Sequence, residues 1–204
     1  MNLPNKLTMF RICMVPVFLV LLCVNLPMSD TAMRIATAVV FAITSLTDMI
    51  DGKIARKYNL ITDFGKFLDP LADKMLTTAA FLGFMACSVG SRFDGGMLQM
   101  LMWVNFIVLT REFMVTSVRL MAAGGGTVVA ANIYGKLKTV FQIVAILATL
   151  TFEWIIGLEL SFLPDALCNI MVVVYTLFIW LSTVMAVISG IIYLWQNRKF
   201  FKTK

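Results

Sequence analysis

The chain has no histidine at all and little charge of either sign. Lacking histidine, it lacks the commonest general base and the commonest transition-metal ligand. Acid–base or metal chemistry must therefore rest on its 11 acidic side chains. Charged residues make up 14% of 204 positions against 60% hydrophobic, with a mean hydropathy of +0.91. That balance excludes an ordinary soluble domain and describes an integral membrane protein. Two-residue alternation is also missing, which excludes a barrel. Cysteine pairs of the C-x-x-C kind are absent, so Cys13, Cys23, Cys87 and Cys168 are expected as small apolar residues rather than metal or disulfide ligands.

A helix crosses the hydrocarbon in about 20 apolar residues, each backbone group satisfied within its own segment. Six runs meet this need, at 7–25, 33–54, 67–88, 98–120, 138–157 and 168–195. The connections are too short for a separate soluble domain. The expectation is an all-α polytopic protein, one domain over 1–204, built as a bundle of six transmembrane helices. The first run contains Arg11 and no small-residue cleavage site, so it is read as a retained helix and not a signal peptide. Lys6, the stretch 52–66, Lys136, Lys138 and the tail "RKFFKTK" place eleven basic residues on one side, whereas Arg34 and Arg92 face the other. By the positive-inside rule both termini are cytoplasmic. The net charge of +6 reflects this topology and anionic headgroups rather than a nucleic-acid partner.

Against this apolar background stands "DMIDGKIARKYNLITDFGKFLDPLAD", residues 48–73. At about 100° per residue, Asp48, Asp51, Gly52 and Ala55 share one helical face. Gly65, Asp69 and Asp73 recur at i, i+4 and i+8 on the next helix. The intervening stretch is short enough to make the helices antiparallel neighbours, so four carboxylates converge at the cytoplasmic end of the pair. Crowded anions repel, and divalent cations resolve the repulsion while using the oxygens as ligands. Oxygen donors of this kind suit Mg²⁺ or Mn²⁺. Gly52, Ala55 and Gly65 leave room for a bulky group beside the metals. Asp63 in "TDFG" is expected as a helix N-cap instead, and Pro70 removes one helical hydrogen bond, to the Lys66 carbonyl.

Basic residues extend the pattern. Arg56 follows the first stripe, while Arg111, Arg119, Lys136 and Lys138 gather near the cytoplasmic ends of the fourth and fifth runs. Guanidinium forks and ammonium groups suit phosphate, so a polyanionic substrate is expected. Positive-inside anchoring serves equally for Lys138, and Arg111 has the alternative of pairing with Glu112. The "AAGGGT" stretch at 122–127 is expected as a connecting loop.

The pattern Asp48-x-x-Asp51-Gly52-x-x-Ala55-Arg56, eight residues, then Gly65-x-x-x-Asp69-x-x-x-Asp73 resembles the complete signature of the CDP-alcohol phosphotransferases. The resemblance implies transfer of a phosphatidyl or similar group from a CDP-linked donor to an alcohol, with release of CMP. It implies that Asp48, Asp51 and Asp69 hold two divalent cations, that Asp73 touches a metal and takes the proton of the attacking hydroxyl, and that Gly52, Ala55, Arg56 and Gly65 border the CDP moiety. Asn5 and Thr8 would line the donor entrance, with a helix cap as the other reading of Asn5. The stretches "MNLPNKLTMFR", "REF" at 111–113 and "YGKLKT" at 134–139 are similar to the bacterial phosphatidylglycerophosphate synthases within this family. That likeness implies CDP-diacylglycerol as donor and sn-glycerol 3-phosphate as acceptor, with Arg111, Arg119 and Lys136 holding the acceptor phosphate. It also implies a homodimer in the bacterial cytoplasmic membrane with its active site facing the cytoplasm. Serine, inositol phosphate or phosphatidylglycerol as acceptor stay open, as do an intramembrane prenyltransferase and a cation transporter.

Overall fold

In the computed structural model the described residues are 2–24, 26–57, 63–87, 95–124, 133–158 and 163–198. They form six α-helices: α1 (Leu3–Cys23), α2 (Asp30–Lys57), α3 (Asp63–Cys87), α4 (Gly95–Gly124), α5 (Ile133–Gly157) and α6 (Asp165–Gln196). There is no strand among the described residues. Each apolar run of the sequence coincides with one helix to within a few residues. Four of the six, α1, α4, α5 and α6, are long and apolar enough to cross a membrane. The other two, α2 and α3, have 28 and 25 residues, about 40 Å each at the usual rise. Charges gather where α2 ends and α3 begins, and the described run Lys74–Ala86 of α3 reads as an apolar helix.

Both helices run further than their apolar cores. The stretch 52–66, expected between helices, is helical up to Lys57 and again from Asp63, the first residue of α3. Pro70 does not interrupt α3, and α4 continues into the expected loop as far as Gly124. At the N-terminus the cap position is Asn2, whose side chain makes no capping bond. Asn5 lies inside the first turn, which removes its reading as a helix cap.

The packing order places α1 on α2 and α3, α5 on α2, α3 and α6, and α4 on α3 and α6. At the centre Phe18, Phe41, Phe81, Phe84, Ile146 and Ile179 are fully buried, with Ala80, Ala145 and Ala186 letting the helices approach. Lipid is as apolar as these side chains, so close packing rather than exclusion from water holds such helices together. Gly83 shows this most directly: a Cβ there would collide with Leu22 of α1. Several hydroxyls inside the helices are satisfied locally. Thr37, Thr44, Thr149 and Thr183 each donate to the carbonyl four residues earlier, which lets polar residues occupy apolar helices at little cost.

The end of the bundle away from the 57–63 junction is also fastened by polar contacts. Arg34 Nη1 donates to the Glu153 carbonyl at 3.1 Å, and Tyr175 Oη donates to Glu153 Oε1 at 2.7 Å. Arg34 therefore sits at the C-terminal end of α5, where a cation complements the helix dipole. One cysteine expectation is corrected: Cys13 and Cys168 are free thiols, whereas Cys23, at the end of α1, is disulfide-bonded. Pairing of this kind is set by how helix ends meet, and no local motif announces it.

Candidate active site

The signature falls where α2 ends and α3 begins. Asp48, Asp51, Gly52, Ala55 and Arg56 occupy the last turns of α2, and Gly65, Asp69 and Asp73 the first turns of α3. The two helices pack on one another. The side chains of these eight residues lie outside the described ones, so their roles toward metal and CDP rest on position and chemistry. The donor set is four carboxylates with no histidine in the chain, which fits hard divalent cations. Among the described side chains no three candidate ligands gather.

The N-terminal part of α1 supplies the neighbouring wall. Because α1 packs on α2 and α3 and the connection from α1 to α2 is short, the start of α1 lies at the signature end of the bundle. Asn5, Thr8 and Arg11 recur every three residues and are all buried, Arg11 to 1% exposure. Three polar side chains on one inward face, followed by Val15 and Phe18 in the core, divide α1 into a polar end and an apolar end. Arg11 entered the sequence argument only as a mark against a signal peptide. Its three-residue spacing from Thr8 was the signal that it belongs to this face.

A second group of polar side chains ties α3, α4, α5 and α6 together. Glu112 Oε1 accepts from Arg111 Nη1 at 2.9 Å and from Lys138 Nζ at 2.5 Å. Arg111 Nη2 donates to Ser189 Oγ of α6 at 2.9 Å. The Glu112 carbonyl accepts from Thr116 Oγ1 at 2.8 Å, and that hydroxyl in turn accepts from Lys74 Nζ of α3. Lys74 directly follows Asp73 in the chain. One glycine gives Arg111 its place: a Cβ on Gly190 would lie only 3.0 Å from Cγ, whereas one on Gly135 would meet Nη2 at an ordinary 3.5 Å.

Of the expected phosphate ligands, Arg111 and Arg119 both reach the same stripe of α6, Arg111 at Ser189 and Arg119 over the Tyr193 ring at 5.7 Å from its centroid. Lys136 is exposed at the start of α5 and makes no ion pair among the described residues. Lys138, which membrane anchoring would have kept at the surface, is 5% exposed and bonded to Glu112. Lys74, Ser189 and Gly190 were not singled out from sequence. The adjacency of Lys74 to Asp73 was the only local clue, since the others are brought in by packing of α6 on α4.

An apolar cleft lies elsewhere. About 900 Å³ opens between α4 and α6, lined by Phe113, Met114, Met121, Ile191, Leu194 and Trp195 among others, with no titratable group. Its walls carry no chemistry for group transfer.

The similarity of the whole chain agrees with the signature. The CDP-alcohol phosphatidyltransferase family matches residues 1–195. A protein of Bacillus subtilis (strain 168) named CDP-diacylglycerol–glycerol-3-phosphate 3-phosphatidyltransferase is 38% identical, covering 99% of this chain and 98% of its own length. A protein of the same name from Rickettsia bellii (strain RML369-C) is 32% identical, over 98% and 97% of the two chains. A probable phosphatidylglycerophosphate synthase of Mycobacterium tuberculosis (strain ATCC 25618 / H37Rv) is 40% identical over 71% of this chain and 64% of its own. With the signature intact at the α2–α3 junction and the match running through all six helices, the chain belongs to the CDP-alcohol phosphatidyltransferase family.

Proposed function

We propose that the protein transfers the phosphatidyl group of CDP-diacylglycerol to sn-glycerol 3-phosphate, giving phosphatidylglycerophosphate and CMP. The observation that carries this reading is near-full-length similarity to relatives named for that reaction. It is supported by the cationic group on α4, α5 and α6. A free serine or a neutral polyol has no use for such cations, whereas a phosphomonoester does.

All six helices cross the membrane in this reading, and the signature faces the cytoplasm. Basic residues gather at that end. The disulfide-bonded Cys23 lies at the opposite end, the side where disulfides persist. The chain is placed in the bacterial cytoplasmic membrane as a homodimer.

The donor enters sideways from the cytoplasmic leaflet, past Asn5 and Thr8, with its acyl chains in lipid and its CDP group along Gly52, Ala55, Arg56 and Gly65. Asp48, Asp51, Asp69 and Asp73 would hold two Mg²⁺ or Mn²⁺ ions, which would supply the positive charge that neutralises the pyrophosphate and stabilises the entering and leaving oxygens. Arg111, Arg119 and Lys136 hold the acceptor phosphate. Asp73 takes the proton of the acceptor 1-hydroxyl as that oxygen bonds to the β-phosphorus; the bond to the bridging oxygen breaks and CMP leaves.

Purified protein in detergent, given CDP-diacylglycerol and Mg²⁺ with glycerol 3-phosphate, serine or inositol phosphate in parallel, tests the proposal. CMP release with glycerol 3-phosphate alone, abolished by EDTA, is the expected result. Release with serine or inositol phosphate instead would overturn the acceptor assignment.

A further inference from the structure

Glu112 stands at the meeting point of four helices, and one of its neighbours, Arg111, is a residue to which the acceptor phosphate has been assigned. A carboxylate within a membrane-spanning segment is costly and is retained where it has a task. Here one oxygen, Oε1, binds both the Arg111 guanidinium and the Lys138 ammonium, with side-chain exposures of 11% for Arg111, 6% for Lys138 and 13% for Glu112. Two cationic nitrogens on one oxygen are close enough to repel, so the carboxylate is what allows them to share the site. Lys74 joins through Thr116, whose hydroxyl bonds the Glu112 carbonyl. Arg111 and Lys138 together outnumber the one carboxylate they share, a positive balance suited to a phosphomonoester, which is anionic near neutral pH.

We infer that Glu112 is a positioning residue for acceptor recognition: it holds Arg111 and Lys138 in the arrangement that receives the acceptor's phosphomonoester, and adds Lys138 to the phosphate site. The inference rests on the phosphorylated-acceptor reading above. Among the described residues Arg111 is otherwise held at its tip by Ser189 alone, and Lys138 has a flexible stem, so loss of the carboxylate disperses the pair. The signature aspartates lie on α2 and α3, whereas the Glu112 ion pairs join α4 and α5. Acceptor binding should therefore weaken while donor binding does not.

The test is steady-state kinetics of the full-length protein in detergent with Mg²⁺, varying glycerol 3-phosphate and CDP-diacylglycerol separately. Glu112→Gln, nearly isosteric but neutral, should raise KM for glycerol 3-phosphate about tenfold to a hundredfold, the usual range for a residue that orients a ligating group. KM for CDP-diacylglycerol should stay within about twofold, and Glu112→Asp, which keeps the charge, should recover most of the loss. Equal changes in both KM values, or a fall in kcat with both KM values unchanged, would show a purely structural role and overturn the inference. Should Glu112→Gln fail to fold, the double variant Glu112→Gln/Lys138→Met removes both buried charges together, a change often tolerated. An acceptor KM at the wild-type value in that variant also overturns the inference. If the wild-type protein uses no phosphorylated acceptor, the acceptor reading and this inference fall together; if it does and Glu112→Gln matches it, the inference alone falls.

Discussion

Gly190 of α6 offers a sharp test of how Arg111 is held. A Cβ at this position would stand 3.0 Å from Arg111 Cγ, whereas carbon atoms in comfortable contact lie about 3.5–4.0 Å apart. The clash falls on the stem of the arginine and not on its free end. That stem cannot simply swing away, because its tip is fixed by Glu112 and Ser189, each at 2.9 Å. In Gly190→Ala the side chain must leave its rotamer, at about 0.5–1.5 kcal/mol, or the helices must separate, at about 1–3 kcal/mol for an overpacked site. Alanine returns about 1 kcal/mol through its better helix propensity. The net loss of stability is thus small, about 0–2 kcal/mol, and the larger effect falls on the position of the guanidinium. A displacement worth about 1.4 kcal/mol in acceptor binding raises KM for glycerol 3-phosphate about tenfold. Gly135→Ala is the control, since its Cβ would meet Nη2 at 3.5 Å, an ordinary contact. Kinetics with each substrate varied in turn, together with thermal midpoints in detergent, should show a raised acceptor KM for Gly190→Ala and wild-type behaviour for Gly135→Ala. Equal acceptor KM values in the two variants would refute the reasoning.

Asp73→Asn should cut CMP release by about 10²–10⁴-fold, the usual worth of a general base, while CDP-diacylglycerol binding, followed by equilibrium dialysis of a labelled donor, persists; wild-type turnover would remove Asp73 as the base. Tyr175→Phe takes the hydroxyl from Glu153 Oε1, a bond of the kind worth about 1.5–3 kcal/mol when its acceptor is charged. It should lower the thermal midpoint and leave both KM values alone, because it lies at the end of the bundle away from the signature; a changed acceptor KM would argue against that separation. Arg34→Gln should likewise lower the midpoint by weakening the contact with the end of α5, and an unchanged midpoint would show that this contact contributes nothing.

Much of this protein is legible before any coordinates are seen, because a membrane imposes strict rules on a chain. A helix in lipid must satisfy its own backbone, so six long apolar runs could become only six helices. The signature on α2 and α3 was readable for a similar reason: its residues lie on two helices adjacent in the chain, and helical periodicity alone aligns Asp48 with Asp51 and Asp69 with Asp73. Helix ends were less legible. Polar residues extend α2 to Lys57 and α4 to Gly124 beyond the apolar runs that marked them, since hydropathy locates the membrane and not the end of the hydrogen-bond ladder. What only the tertiary structure decided is which distant residues share a charge. The pairing of Arg111 with Glu112 was open from the sequence, but Lys138, read there as part of a basic cluster or a surface anchor, meets the same carboxylate only in the fold, with Ser189 and Gly190 brought alongside by α6. The disulfide at Cys23 was hidden in the same way. Local pattern governs what each helix is, whereas partners twenty or more residues apart are chosen by the packing of whole helices, which no short stretch of sequence encodes.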